Sequence, residues 1–286
     1  MITLFAIPKP FDPPRTAMIQ RNAIESWTLL QPKCEILLFG AERGTREAAR
    51  RFGAIHVPEL AFSEHGAPLL DDLFRRAREV ATRPLLAYVN ADVLLLADFM
   101  DAVERVADRP SAFLLAGGRW ELELTRPIDF SGAWEEAMRR RLRKRGRRGS
   151  AWLLDYFVFR RDLWGEIPPF AIGRQRWDNW LIHEALRLGA EVVDGTKAIT
   201  AVHQNHDWSH IRGSERSQWH RPRAKWSSPD RDRNLMLAGD RIRNLTDATH
   251  VLKAEGVARR APRSRLYGKL RLKLAAVSRF ANPMRQ

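Results

Sequence analysis

The segment Tyr88-Val89-Asn90-Ala91-Asp92-Val93 sets an amide and a carboxylate inside an otherwise apolar run. Burying a carboxylate is costly unless it is paired or bound to a cation. An Asp with a neighbouring oxygen donor suits Mg²⁺ or Mn²⁺, hard cations that take oxygen ligands and bridge diphosphates. The competing account is that Asn90 and Asp92 simply cap the turn that follows, as Asx residues commonly do. A second cluster, His203, His206 and His210, has helical spacing, and three such imidazoles could hold zinc. Against this, Asn205, Asp207 and Ser209 make the stretch turn-like, and no His-Glu-x-x-His pattern occurs. One histidine as a metal ligand, with the other two in hydrogen bonds, is the expectation. Asp155 also stands out, because it opens the aromatic run 156–159, where a lone carboxylate is unusual.

The elements that must position these residues follow from the spacing of apolar positions. Residues 2–7, 35–39, 55–57 and 85–89 read as short buried strands, several closed by Pro or Gly. Between them, 16–30, 45–52 and 69–80 read as helices; Ile19, Ala23, Ile24 and Trp27 share one face of the first. This alternation predicts an α/β fold with a mostly parallel central sheet and helices on both faces. In such sheets ligands bind at the carboxyl ends of the strands, which is where Asn90 and Asp92 fall. The second half is more mixed, with strands expected over 112–116, 152–159, 191–194 and 199–202 and a helix over 177–188. One domain over 1–210 is expected, followed by an extension over 211–286 that ends in a basic helical tail.

Composition narrows the class. The 286 residues are 44% hydrophobic and 29% charged, the balance of a soluble globular protein. Ten Trp is a high count, and tryptophans ringed by polar groups suit stacking on a sugar or a base. Cys34, the single cysteine, allows no intrachain disulfide and adjoins an apolar run, as a buried thiol would. No apolar stretch approaches the ~20 residues of a spanning helix, and the N-terminus lacks a signal-peptide pattern, so a cytoplasmic protein is expected. The net charge of +15, from 49 basic and 34 acidic residues, attracts polyanions. It is concentrated in 139–148, a charged helix end or loop, and in the tail. There Leu266, Leu270, Leu274 and Val277 recur at helical spacing among Arg and Lys, a pattern suited to an anionic membrane surface, here the inner face of the cell membrane.

Six blocks occur in order: Gly66-Ala67-Pro68-Leu69-Leu70, Asn90-Ala91-Asp92, Asp155-Tyr156-Phe157-Val158-Phe159, the stretch 167–174, Trp177-Asp178-Asn179-Trp180 and His203-Gln204-Asn205-His206-Asp207. Together they resemble a GT-A-type glycosyltransferase of the bacterial family 2-like kind, over roughly residues 1–210. The resemblance implies a metal-dependent enzyme that moves a sugar from a nucleotide diphosphate, with UDP-sugars the expected donors, to a hydroxyl of a glycan or lipid-linked acceptor. Asn90-Ala91-Asp92 would be the counterpart of the Asp-x-Asp metal motif, departing from it at Asn90. Asp92 and His203 would hold Mn²⁺ or Mg²⁺. Asp178, at the head of a helix, would be the base of an inverting transfer, with a helix N-cap as its alternative role. Donor contacts are expected from Pro8, Arg15, Arg21, Asp71, Asn90, Asp92 and Arg119. Acceptor contacts are expected from Asp155, Trp177 as a sugar platform, and Asn179.

Two other classes compete. The charge and the aromatics suit a nucleic-acid-binding protein, but no recognisable RNA or DNA module occurs, and no specific nucleic acid is expected. A nucleotidyltransferase would carry a glycine- and lysine-rich phosphate loop near the first strand. Here that loop is Pro8-Lys9-Pro10-Phe11-Asp12-Pro13-Pro14-Arg15, too proline-rich for a backbone cradle. A catalytically inactive binding protein on the same fold is the third reading, which Asn90 keeps open.

Overall fold

The computed structural model describes residues 2–206 and 228–261. The chain runs β1 (Ile2–Ala6), α1 (Pro14–Thr28), β2 (Glu35–Phe39), α2 (Thr45–Phe52), β3 (Ile55–Val57), α3 (Leu70–Val80), β4 (Leu85–Val89) and β5 (Val93–Leu95). It continues through α4 (Asp98–Ala107), β6 (Phe113–Gly118), β7 (Trp120–Leu122), α5 (Trp134–Arg145), β8 (Arg147–Arg148) and β9 (Leu154–Arg160). Then follow α6 (Trp177–Arg187), β10 (Glu191–Asp194), β11 (Ala201–Gln204), α7 (Pro229–Ala238), β12 (His250–Lys253) and β13 (Gly256–Arg259). Pro14 opens α1, where its missing N–H costs nothing, and Gly53 closes α2 at a φ of 65°.

Nine strands form the main sheet in the order β13-β12-β10-β6-β9-β4-β1-β2-β3. The pairs from β4 to β3, and from β12 to β6, are parallel, so the mostly parallel α/β sheet expected from the sequence is present. The period-two alternation of the strands feeds two cores. Leu4, Leu38, Ala87 and Leu115 face one side with Trp27 of α1 and Phe99 of α4. Phe5, Leu37, Tyr88 and Leu114 face the other with Phe74 of α3 and Trp180 of α6. Each fully buried side chain of this size contributes about 1.5–3 kcal/mol, so this two-sided burial dominates the fold's stability.

Two features place the site. β9 runs antiparallel between β4 and β6, so its first residues lie at the carboxyl ends of both neighbours. A second sheet, β5-β11-β7-β8, then grows from that same end, because β5 follows β4 after a three-residue turn and β7 follows β6 after Arg119. Gly117 permits the close approach there: a Cβ on it would lie 2.0 Å from the Tyr156 hydroxyl and 2.9 Å from the Thr196 backbone nitrogen.

One expectation changes, and for another the structure decides between two alternatives in favour of a helix end. The main sheet crosses the boundary expected at 210, since β12 pairs with β10 and β13 with β12; these two strands of the extension belong to the sheet. The basic run 139–148 is helix α5 and strand β8: Met138 and Leu142 are buried against the second sheet, and Arg139 is held by Asp98 and Thr200. His210 and the tail helix lie outside the described residues. Cys34 is half-buried, and burial pushes its thiol pKa up to about 12.

Candidate active site

Asp92 ends the turn after β4, in which the Val93 N–H donates to the Asn90 carbonyl at 3.0 Å. β5 then pairs antiparallel with β11, with His203 opposite Val93, and this register brings the histidine back to Asp92. Gln204, fully buried, fastens the strand: it donates to the carbonyls of Ile19 at 2.8 Å and Asp92 at 3.2 Å, and accepts from Asn22 at 2.9 Å. The chain leaves β11 so that His206 also turns inward, its ring 5.4 Å from that of His203.

The result is a compact three-residue group. His206 Nε2 lies 2.9 Å and His203 Nε2 3.7 Å from Asp92 Oδ2. One ligand atom from each of Asp92, His203 and His206 falls within 4.8 Å of the others. Asp92 Oδ1 and His203 Nδ1 are buried without a hydrogen-bond partner among the described residues. Two imidazoles beside a carboxylate with an unpartnered oxygen fit a divalent cation. Burial works to raise the Asp92 pKa, but the His203 charge, the His206 hydrogen bond and the Lys9 charge outweigh it and hold the group well below the carboxylate range.

Beside this group lies a second network. Asn90 accepts from the Tyr88 hydroxyl at 2.8 Å and donates to Asp155 Oδ1 at 2.7 Å. Arg119 Nη1 donates to both Asp155 oxygens, at 2.9 and 2.7 Å, and Nη2 donates to Glu121 at 3.1 Å. Both partners of the Arg119–Asp155 pair are buried. Such a pair holds only while both charges are present, because either alone would be stranded in low dielectric.

Asp178 sits in the first turn of α6, where its Oδ1 accepts from the Asn179 backbone N–H at 2.9 Å. Burial first, then the Asp155 charge, raises its pKa to about 7, against the hydrogen bonds and the pull of Arg119. Arg176, just before the helix, has a φ of 93°, the one positive value at a non-glycine among the described residues. Such a conformation costs of order 1–3 kcal/mol and is met most often at functional sites.

Asn90, Asp92, Arg119, Asp155, Asp178 and His203 thus gather at one end of the sheet, linked by hydrogen bonds or by the charges that shift Asp92, His203 and Asp178. The other sequence expectations fare differently. Trp177 is 5% exposed, edge-on to Tyr88 at 5.3 Å and tilted on Phe157, so it is core and not an exposed sugar platform. Asn179 is buried and donates to the Arg243 carbonyl, tying α6 to the segment after α7 instead of facing an acceptor. Asp155 already accepts from Arg119 and Asn90, and Arg119 is committed to Asp155 and Glu121; both brace the site from behind. Arg15 pairs with Glu123 and donates to the Asn205 carbonyl at 2.9 Å, holding the loop beside His206. Arg21 lies on a separate cleft of about 560 Å³ with Phe11, Arg43 and Arg51. Pro8 is buried at the exit of β1, and Asp71 is in the first turn of α3 with one buried oxygen unpartnered among the described residues. Sequence reasoning missed Lys9 and gave His206 only a hydrogen-bonding role; only the β5–β11 register reveals that His206 turns in.

No family model matches the chain, and no curated protein matches it. Among solved structures it is similar to the mannosyltransferase PcManGT from Pyrobaculum calidifontis in complex with GDP-Man and Mn²⁺, at 18% identity and a TM-score of 0.41, over 70% of this chain and 56% of that one. The chain therefore spans little more than half of that enzyme's length. It is also similar to glucosyl-3-phosphoglycerate synthase from Mycobacterium tuberculosis in complex with Mg²⁺ and uridine diphosphate, at 18% identity and a TM-score of 0.45, over 74% of each chain. A complex of the same synthase with Mn²⁺, UDP-glucose and phosphoglyceric acid gives 17% identity, a TM-score of 0.45 and the same coverage.

Proposed function

We propose that the protein is a metal-dependent glycosyltransferase of the GT-A type, moving a sugar from a nucleotide diphosphate to a hydroxyl acceptor with inversion. The observation that carries this reading is the convergence of Asp92, His203 and His206 with a part-buried carboxyl, Asp178, whose pKa is raised to about 7. Asp92, His203 and His206 would hold Mn²⁺ or Mg²⁺, and the bound cation would supply charge neutralisation for the departing diphosphate. Asp178 acts as the base: a group with a pKa near 7 is available as carboxylate at neutral pH yet basic enough to accept a hydroxyl proton. As the acceptor oxygen bonds to the anomeric carbon, the bond from that carbon to the diphosphate oxygen breaks and the proton passes to Asp178. Arg119, Asp155 and Asn90 keep the strand ends fixed while this happens. The Lys9 charge acts on Asp92 from the exit of β1 and adds to the positive field that a diphosphate would meet.

UDP-sugars are the proposed donors, and glycan or lipid-linked hydroxyls the proposed acceptors, in the assembly of surface polysaccharide or another glycan. Peripheral attachment to the inner face of the cell membrane is part of the same reading. Exposed Arg140, Arg141, Arg143, Lys144 and Arg145 on α5, with Arg147 and Arg148 on β8, support it, as does the basic pattern of the tail sequence. No helix among the described residues is long and apolar enough to cross a membrane.

The test is a nucleotide-sugar binding screen with and without Mn²⁺, on wild type and Asp92→Ala. Metal-dependent binding of one nucleotide, lost in the variant, is the expected result. A folded protein that ignores every activated sugar offered with manganese would end the proposal.

A further inference from the structure

The turn that carries Asp178 is held from both sides by residues of the extension. Asn234, on α7 and fully buried, spends its whole amide on this turn. Its oxygen accepts from the Ala171 N–H at 2.8 Å, and its nitrogen donates to the carbonyls of Ala171 and Gln175, each at 3.0 Å. On the far side of Asp178, the Arg243 N–H donates to the Asn179 carbonyl at 3.0 Å, and the Asn179 side chain donates back to the Arg243 carbonyl at 3.0 Å. Between these two attachments lies Arg176, with its φ of 93°. A non-glycine residue keeps such a conformation only where its surroundings over-determine it, and the two attachments supply that constraint. α7 is itself fixed at both ends. Ser228 caps its start, accepting from the Arg231 N–H at 3.3 Å, and Ala238 at its end is buried in one core with Trp177 and Trp180.

We propose that Asn234 is a positioning residue for the base, and that α7 with the turn after it completes the active site by fixing where the Asp178 carboxyl sits. The Asn234 amide is neutral, so it acts on Asp178 through the backbone of 171–176 and not through charge. The charges that shift Asp178 come from other elements, Asp155 at the head of β9 and Arg119 between β6 and β7. The Tyr88 hydroxyl on β4 is raised in turn by the Asp178 charge. On α7, Asp230 is buried one helical turn before Asn234, and a substitution at 234 leaves it in place. Burial is the largest cause of the raised Asp178 pKa. A turn released at 234 would admit water and let the carboxyl fall back toward the ordinary aspartate value. The inference rests on Asp178 being the base of the function proposed above, but the clamp is testable without any sugar.

The experiment follows the carboxyl carbons of the aspartate-labelled, metal-free full chain by carbon-13 NMR from about pH 3 to 9. The Asp178 signal is assigned by its absence in Asp178→Asn. The wild-type midpoint is expected at about 7, and Asn234→Ala is expected to lower it by about one unit or more. Thr249→Val is the control. It removes the hydrogen bonds that tie the same extension to Val192 of β10 without touching the turn, and should leave the midpoint in place. An unchanged midpoint in folded Asn234→Ala, an equal fall in Thr249→Val, or a wild-type midpoint at the ordinary aspartate value overturns the proposal. Should Asn234→Ala not fold, Asn234→Ser decides, since serine cannot replace all the bonds of the amide. A fall in the same direction is expected, and none overturns the proposal. A protein with the clamped carboxyl that transfers no sugar would sink the transferase reading and leave this one standing. An active transferase whose Asp178 midpoint ignores residue 234 would do the reverse.

Discussion

Two polar groups sit side by side at the carboxyl ends of β4 and β6, and they are built in opposite ways. In one, Tyr88, Asn90, Asp155, Arg119 and Glu121 form a chain of hydrogen bonds in which Asp155 and Asn90 are engaged at both polar ends. In the other, Asp92, His203 and His206 crowd together while Asp92 Oδ1 and His203 Nδ1 stay unpartnered among the described residues. The contrast separates buried polar groups that serve the fold from those that await a ligand. In the first group Arg119 Nε is the one buried atom left over among the described residues, while its anion and its amide are fully engaged. A largely satisfied network rigidifies and specifies a core, whereas an unsatisfied one costs stability and is kept for its chemistry.

Four substitutions would break or sharpen that contrast. The largest effect is expected from Asp92→Ala, which should weaken manganese-dependent nucleotide binding more than about 100-fold, since ligand loss exceeds the 10–100-fold typical of outer-shell changes. Its melting temperature should stay close to wild type, and a collapse of the fold would place Asp92 among the structural residues. Arg119→Met should show the reverse pattern. Stranding the Asp155 charge should cost about 3–5 kcal/mol in urea unfolding, and unchanged stability would contradict the bracing role.

The third effect depends on pH. With its folded pKa raised to about 7, Asp178 keeps its proton in the folded protein after the unfolded chain has released it near the ordinary aspartate value. Its contribution to stability is therefore fully present at acid pH and is lost as pH rises from the ordinary value through 7. Asp178→Asn should flatten that decline in urea midpoints measured from pH 4 to 8, and should abolish transfer while leaving donor binding largely intact. Parallel pH curves for the two proteins would refute the shifted pKa. Survival of transfer would refute the base assignment. The smallest effect belongs to Arg15→Ala: its ion pair with Glu123 is about half exposed, so less than about 1 kcal/mol should be lost.

Much of the frame was legible in the sequence because it rests on local pattern. The strands Glu35–Phe39, Ile55–Val57, Leu85–Val89 and Glu191–Asp194 and the helix Thr45–Phe52 fall where apolar spacing and flanking Gly or Pro put them. Asp92 was legible too, since a carboxylate that interrupts a buried strand needs a reason. What was not legible depends on pairing at a distance. β5 and β7 are three residues long and carry no period of their own; they exist because β11 and β8 pair with them. The inward turn of His206 follows from that register. The three-and-four spacing of the histidines suggests a helix, yet His203 lies on a strand and His206 on the loop beyond it. Trp177 shows the opposite failure: an aromatic beside a candidate base suits a binding platform, but Tyr88 and Phe157 offered it a better place inside. β12 and β13 were missed because a short polar hairpin on a sheet edge looks like any loop.

The most direct test of the central claim is manganese anomalous diffraction from a crystal grown with UDP. The account predicts one strong peak within coordination distance of Asp92, His203 and His206, with the diphosphate on its open side. Bound UDP with no metal at those three side chains, or manganese held elsewhere, would contradict it.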